Sequence, residues 1–581
     1  MNLENKKSKL WQPLLLVAIA IISVFLAFRI TSEPSVPSDV TGKIITMDEI
    51  KNKDKPSVDM VMSHVYNISQ KPHRSGSKEI LRVRKYIIDE IEKMGLKYEI
   101  QDFNYSIADR ILQHYQRARE HPEKWPYYEG KPAEGYNTWE EYIVANNPSH
   151  VNFQNILVRI GAKNPKNTFL MMAHYDSNGN SPGAGDDGIS IAALLETMRV
   201  LNQNPDTENA IYFLLTDGEE DWLVGAKYFV ENPLFDLKKL NFFVNLESFC
   251  GRGVPLIATL SNENDNNDKN ILKMLSKNLR NSWSFSFFTE LFKFVPHEAD
   301  STLLYERGII GVDIASLGGL ASNHQPSDSY ENLSKSTANQ TLKTTIDLAD
   351  YFKTVDNFDV KSDENAVVFP YWSGKTIVLS NLGMKIFAVI VSVLALTFIV
   401  FVFIKKQVKV KDFLVSLGLI LFNLVLAYPI MLFSSDLQNI FPFIRKETIG
   451  LAIIAAFSLI IMLLFGFVAK KILKVKNSGI KFAIILMFAL ISLATAIWFN
   501  SASYIFSIPL LLMLAAFKTE MIFENRTVST ILRSLLILVT CIIFIPAVVI
   551  IQMAAPYYIF AIFAFSVLAL LPILSAIIGE A

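Results

Sequence analysis

The chain has 581 residues, too many for one ordinary domain, and its 55 Lys plus Arg balance 55 Asp plus Glu, so net charge selects neither a nucleic acid nor any other highly charged partner. Hydrophobic residues make up 51% of the chain but are spread unevenly: the acids lie mostly in 31–380, and from about 381 onward Ile, Leu, Phe, Val and Ala dominate. Two cysteines, Cys250 and Cys541, with the second inside an apolar run, exclude a disulfide framework.

In chain order, Lys6, Lys7 and Lys9 precede an apolar run of 19 residues, 10–28, about long enough to span a bilayer. No small-x-small cleavage site follows, so residues 1–30 read as a cytoplasmic tail and an uncleaved signal anchor. The lysines place the N-terminus in the cytoplasm and the following segment outside. Residues 31–57 read as a linker. Helical periodicity covers 58–66 and 78–94; in the second, Ile80, Val83, Ile87, Ile88 and Ile91 share a face and Gly95 supplies the C-cap. A strand is expected over 96–103. Residues 104–150, polar and rich in Arg, Glu and Pro, read as an insert with helices near 107–120 and 138–146, serving either as a surface cap or as a lid.

Strands are then expected at 155–160, 168–173, 209–215, 240–246 and 309–314, with helices at 189–201 and from Gly225. This alternation predicts an α/β sheet, whose sites form outside the carboxyl ends of the strands. The domain would run over 58–355, followed by a linker over 356–383. Residues 384–581 carry seven expected spans, at 384–404, 412–433, 448–469, 482–499, 503–517, 528–549 and 555–578. Basic clusters between them alternate: heavy at Lys405–Lys411, light at Arg445 and Lys446, heavy from Lys470 to Lys481, then heavy again at Lys518, Arg526 and Arg533 after a stretch with almost none. The positive-inside rule then gives eight spans in all and both termini in the cytoplasm.

The chemistry collects at the strand ends. His174 and Asp176 stand where an apolar strand stops, Asp186 and Asp187 where a helix begins, and Glu219, Glu220, Glu247 and His324 follow later strands. These are nitrogen and oxygen donors with no thiolate, which suits Zn²⁺, with Mn²⁺ or Co²⁺ as alternatives. Two histidines and four carboxylates exceed the three protein ligands of one catalytic zinc. They match two metals sharing a carboxylate, with another carboxylate left as a base.

Taken as a set, His174-Tyr-Asp176, Asp186-Asp-Gly, Asp217-Gly-Glu219-Glu220 with Gly225, Asn245-Leu-Glu247 and His324-Gln-Pro-Ser-Asp328 resemble the M28 family of zinc aminopeptidases. Pro72-His-Arg-Ser-Gly-Ser77, Asp300 and Gly311-Val-Asp-Ile also fit, so the resemblance covers about 58–350. An N-terminal anchor, an external peptidase domain and a multispan C-terminal region look like the membrane-bound branch, similar to vacuolar and endoplasmic-reticulum membrane metalloproteases.

The resemblance implies a mixed central sheet flanked by helices, joined to an all-α transmembrane region. It implies that His174, Asp186 and Glu247 hold one zinc and that Asp186, Glu220 and His324 hold the other. Asp186 would bridge, Glu219 would be the general base, Asp176 would hold the His174 imidazole, and Asp187 would lie behind the ligands. The third-strand ligand is Glu247 where soluble members often have Asp. Asn323-His-Gln-Pro replaces the common Tyr-His-Thr-Pro, so that motif supplies no tyrosine. The implied reaction is hydrolysis of N-terminal peptide bonds by a hydroxide bridging the metals, with a peptide or protein as substrate and a bilayer as the other partner. Two other classes are a receptor or scaffold with an inactive peptidase fold and a one-zinc acyltransferase of the glutaminyl cyclase type. The short basic N-terminus and a Lys-, Asn- and Ile-rich composition favour a bacterial plasma membrane, with a vacuolar or other organelle membrane as the alternative.

Overall fold

The computed structural model describes residues 3–50, 52–120, 132–133, 135–205, 207–260, 268–281, 283–292, 298–360, 364–372, 375–425, 447–522, 526–554 and 559–578. The chain divides into two compact units, one of residues 33–284 with 289–363, the other of residues 1–32 with 285–288 and 364–581.

Helix α1 (Leu3–Thr31) belongs to the second unit. The first unit begins with an extended strap, which Asp59 holds by accepting the backbone N–H groups of Thr41 and Gly42 at 3.0 and 2.7 Å. Helices α2 (Val58–Ile68) and α3 (Lys78–Lys93) follow, capped by the hydroxyls of Ser57 and Ser77. Next come β1 (Tyr98–Tyr105), α4 (Ile107–Glu120), α5 (Trp139–Asn146), β2 (Val151–Gly161), β3 (Thr168–His174), α6 (Ile189–Asn202), β4 (Ala210–Thr216) and α7 (Val224–Glu231). Then follow β5 (Phe242–Ser248), β6 (Leu256–Leu260), α8 (Lys269–Asn278), α9 (Ser286–Phe292), whose residues up to 288 fall in the second unit, α10 (Asp300–Tyr305), β7 (Gly311–Ser316) and α11 (Lys335–Thr354).

The strands form one mixed sheet in the order β1-β2-β4-β3-β5-β7-β6. The central four, β4, β3, β5 and β7, are parallel, and β2 and β6 flank them antiparallel. β3 is buried along its whole length, as expected of an apolar run covered on both faces. Its side chains alternate between those faces. Phe169 stacks on Phe352 of α11, with ring centroids 4.2 Å apart. Leu170 and Met172 instead join Phe229 of α7 and Leu304 of α10 in a second apolar cluster. Parallel strands end together, so β3, β4, β5 and β7 release their chains at one edge of the sheet. The antiparallel edge strand β6 was not among the expected strands; at five residues it is too short to show a clear alternation.

In the second unit, the stretch expected as the linker 356–383 contains an antiparallel hairpin, β8 (Ala366–Trp372) and β9 (Lys375–Ser380). Val367, Val368, Ile377 and Val378 suit strands, and Pro370 is tolerated because both strands of a two-stranded ribbon are edges. Helix α12 (Asn381–Ile404) and the helices Val410–Val425, Glu447–Phe467, Asn477–Trp498, Ser503–Ile522, Arg526–Ala554 and Ile559–Ile577 complete the unit. Among the described residues five helices are long and apolar enough to cross a membrane: Gln12–Ile30, Asn381–Ile404, Asn477–Trp498, Asn500–Thr519 and Thr527–Ile551. The expected spans at 412–433, 448–469 and 555–578 lie partly, in backbone or side chains, outside the described residues. On α12, Met384, Ala388, Val391 and Ala395 are buried, while Leu382, Ile386, Ile390 and Val393 are exposed. A helix apolar on its inner and outer faces suits a lipid surrounding.

Candidate metal centre

Four strand ends and the loops beyond them supply the predicted residues. His174 is the last residue of β3, 1% exposed, and pairs in register with Thr216 at the end of β4. Gly218, with φ +83°, turns the chain after β4 and presents Glu219 and Glu220. Glu247, near the end of β5, lies in register with Ala315 of β7. The loop after β7 carries His324. The loop before α6 is shaped by Asp328, whose carboxylate accepts the N–H of Gly185 at 2.7 Å and that of Asp186 at 3.2 Å.

These side chains converge in two groups whose ligand atoms lie within 4.8 Å of one another: His174, Asp187 and Glu247 in one, Asp186, Glu220 and His324 in the other. Asp186 reaches both. Its Oδ1 is 3.2 Å from His174 Nε2, and its Oδ2 is 3.4 Å from His324 Nε2. Glu220 Oε1 lies 3.1 Å from His324 Nε2, and Glu247 Oε2 lies 3.8 Å from His174 Nε2. Glu219 is in neither group, and its carboxylate makes no hydrogen bond among the described residues.

Two placements differ from the expected pattern. Asp187, expected behind the ligands, is in the group of His174 and Glu247, and both its carboxylate oxygens are buried without a hydrogen bond. His174 Nδ1 lies 3.1 Å from the backbone oxygen of Asp176 and 3.5 Å from its carboxylate. That carboxylate instead accepts the backbone N–H groups of Glu219 and Glu220, at 3.1 and 3.2 Å. Asp176 therefore braces the glutamate turn as well as the histidine, which strand-face reasoning alone does not reveal.

A surrounding layer completes the support. Asn323 donates to Asp186 Oδ2 at 2.8 Å, Asn178 to Glu220 Oε2 at 3.3 Å, and Asn245 to Glu247 Oε1 at 3.1 Å. None of these amides was singled out from the sequence as a site residue. Asn245 carried a signal, since residues i and i+2 of a strand share a face. Asp217 serves the scaffold: it takes Arg84 Nη2 and Ser75 Oγ, both at 2.7 Å, and the Tyr175 hydroxyl at 3.2 Å. The 104–150 insert packs on the turn after Glu220. There Arg110 of α4 donates to the Trp222 carbonyl at 2.6 Å, and the His114 and Trp222 rings lie 4.1 Å apart. Trp222 and Leu223 hold left-handed backbone, φ 70° and 63°, a conformation that non-glycine residues need such bracing to keep.

The electrostatics are those of too many carboxylates in too little water. Burial raises Glu247 to about 8 against the pull of His174, with Asp186 and Asp300 adding repulsion. Burial also drives Glu219 and Asp187 well above the carboxylate range. Asp186 moves the other way, to about 2, because His174 and His324 outweigh its burial. Hydrogen bonds to Asp186 and Glu220 raise His324 to about 10. In protein atoms alone the cluster resolves its charge by holding protons. Ligating carboxylates must be ionised and ligating histidines neutral, so divalent cations would displace those protons. Asp300 Oδ1 is, like both oxygens of Asp187, buried without a hydrogen bond. Orphaned buried carboxylate oxygens beside two histidine nitrogens fit hard or borderline divalent cations such as zinc.

Residues 155–349 match the model of Peptidase family M28. Among curated proteins, the chain is 30% identical over 247 residues to a vacuolar membrane protease of Candida tropicalis, covering 41% of this chain and 26% of that one. It is 26% identical over 363 residues to a vacuolar membrane protease of Yarrowia lipolytica, covering 60% of this chain and 32% of that one. The matches thus span about a quarter to a third of those relatives' lengths. Among solved structures, an aminopeptidase from Aneurinibacillus sp. strain AM-1 aligns with TM-score 0.41 at 15% identity, over 53% of this chain and 97% of that one.

Proposed function

We propose that this chain, which carries a domain of peptidase family M28 together with apolar helices long enough to cross a bilayer, is a membrane-anchored di-zinc aminopeptidase. One observation carries the reading: the two oxygens of Asp186 face different histidines, each accompanied by a glutamate. A one-metal acyltransferase would need only one such group.

In this reading His174, Asp186 and Glu247 hold one cation, and Asp186, Glu220 and His324 hold the other, with Asp187 as a further donor beside His174. Zinc suits the donors, and Mn²⁺ or Co²⁺ remain compatible. When bound, such a pair supplies Lewis acidity, lowering the pKa of water and polarising the scissile carbonyl. Glu219, held beside the ligands but outside both groups, takes the proton of the attacking water and returns it to the leaving amine. Asp176 fixes the turn that aims Glu219 and Glu220. Asn245, Asn323 and Asn178 hold Glu247, Asp186 and Glu220 in orientation. The excess of carboxylates suits a substrate's α-ammonium group, which supports cleavage at N-termini. The lysine distribution supports a peptidase unit on the non-cytoplasmic side, of a bacterial plasma membrane or of a vacuole-like organelle.

The test uses the purified full-length chain, measuring zinc per chain and release of N-terminal residues from a panel of peptides. Glu219→Gln should keep both metals and lose about 10²–10⁴-fold in turnover, the usual contribution of a general base. Glu220→Gln should lose metal. Near-normal turnover in Glu219→Gln, or metal loss there and not in Glu220→Gln, would exchange the two roles. One metal per chain in the active wild type would defeat the di-zinc reading.

A further inference from the structure

Arg74 lies outside both ligand groups, and the reaction above does not use it. It follows His73, whose backbone N–H donates to Ser177 Oγ at 2.9 Å and so ties the 72–77 turn to the loop after β3. Arg74 Nε and Nη2 both donate to one oxygen of Asp221, Oδ1, at 3.0 and 2.5 Å. The Asp221 side chain is 1% exposed, whereas that of Arg74 is 45% exposed. Asp221 directly follows Glu220, and Arg74 Cδ lies beside Gly179, the neighbour of the Asn178 that donates to Glu220. Arg74 therefore sits against two of the loops that carry ligands, the one after β3 and the one after β4, at the rim of the site. Asp221 favours its charged form most, and Asp176 and Glu220 add to this.

A buried carboxylate that accepts two donors through one oxygen fixes a planar fork in advance. The third nitrogen, Nη1, makes no hydrogen bond among the described residues and belongs to an exposed side chain. Besides Asp221, the charged groups that act on Arg74 are Asp176 and Glu220, the second of which would be engaged by a cation. A fixed guanidinium outside both metal groups gives a substrate carboxylate a partner of its own. If the substrate's α-ammonium end lies among the ligand carboxylates, an anion reaching Arg74 belongs to the leaving side.

We propose that Arg74, held by Asp221, receives a carboxylate on the leaving side of the substrate, so that short peptides with a free C-terminal carboxylate, or with an acidic residue next after the cleaved bond, are preferred. The proposal rests on the aminopeptidase reading. Full-length protein is assayed with Leu-Ala, with its C-terminal amide, and with Leu-Glu amide, while zinc content is measured in parallel. A charge-assisted pair of this kind is worth about ten- to hundred-fold in binding. Arg74→Ala should therefore lower the ratio of kcat/KM for Leu-Ala over its amide by about ten- to hundred-fold, expressed in KM with zinc content kept. Arg74→Lys should fall between. The Leu-Glu amide arm tells whether a side-chain carboxylate serves as well as a terminal one. Because Arg74→Ala leaves Asp221 buried and unpaired, Arg74→Ala/Asp221→Asn is measured beside it and should show the same fall. An active wild type whose ratio is unmoved by either variant overturns the role of Arg74 alone. A wild type that cleaves none of the peptides overturns the aminopeptidase reading and this inference with it.

Discussion

Asp176→Asn separates a brace from a ligand. The carboxylate is fully buried and accepts two backbone N–H groups, those of Glu219 and Glu220, one on each oxygen. An asparagine has one accepting oxygen, so one of these N–H groups would face an NH₂. Leaving a buried N–H unpaired costs about 1–3 kcal/mol, and the surviving bond loses its charge assistance. The damage should spread to both metal positions, because Asp176 lies against His174 of one group and shapes the turn that carries Glu220 of the other. Removing a group that orients ligands typically lowers metal affinity roughly 10–100-fold. The expected result is a loss of that order at both positions, with a lower thermal midpoint in the zinc-free protein. Zinc titration against a competing chelator, with full-length wild type and variant side by side, measures it. Native affinity at both positions would refute the bracing argument. A loss at the His174 position alone would reduce Asp176 to a partner of the histidine.

Asp186→Ala should lower bound metal at both positions, whereas His324→Ala should affect one; two metals per chain in Asp186→Ala would move the bridge to Asp187. Asp187→Asn should weaken the His174 position, and unchanged metal content would return Asp187 to a packing role. Two buried histidines should each weaken the fold in acid: burial first, then Arg199, lowers His64 to about 3, and burial first, then Arg117, lowers His114 to about 4. Both are neutral in the fold, so below about 6.5 the unfolded chain binds protons that the fold refuses. Their contribution is then lost as pH drops from about 6.5 toward 4, each histidine costing at most about 1.4 kcal/mol for every pH unit. The change in thermal midpoint between about pH 7.5 and about pH 5, on either side of the ordinary histidine range, is compared for chelated wild type and His64→Gln; a variant that shifts with pH as much as wild type counts against it. A cytoplasm-dependent reporter should be active when fused after Lys411 or Lys481 and silent after Gly374, and the reverse pattern would place the peptidase unit in the cytoplasm.

Local pattern determined much of this chain. The apolar run at 168–173, the 3.6-residue face of Ile80, Val83 and Ile87, the caps Ser77 and Gly95, and the apolar runs near 10–28 and 528–549 each act within a few turns of backbone. The helices of the insert were legible for the same reason, with bounds close to Ile107–Glu120 and Trp139–Asn146. Ligand residue types were legible too, because His and paired carboxylates at the ends of apolar strands are costly unless something binds them. The five-residue strand β6 and the hairpin β8–β9 were not legible, since a short strand is stabilised by the neighbour that pairs with it, and pairing is non-local. Nor was the wider role of Asp176, the approach of Asp187 to Glu247, the amides of Asn178 and Asn323, or the Arg74–Asp221 fork at the rim. Each depends on loops from different strands meeting at one edge of the sheet. Spacing along the chain carries no information about which side chains meet there; the parallel register of β4, β3, β5 and β7 decides it.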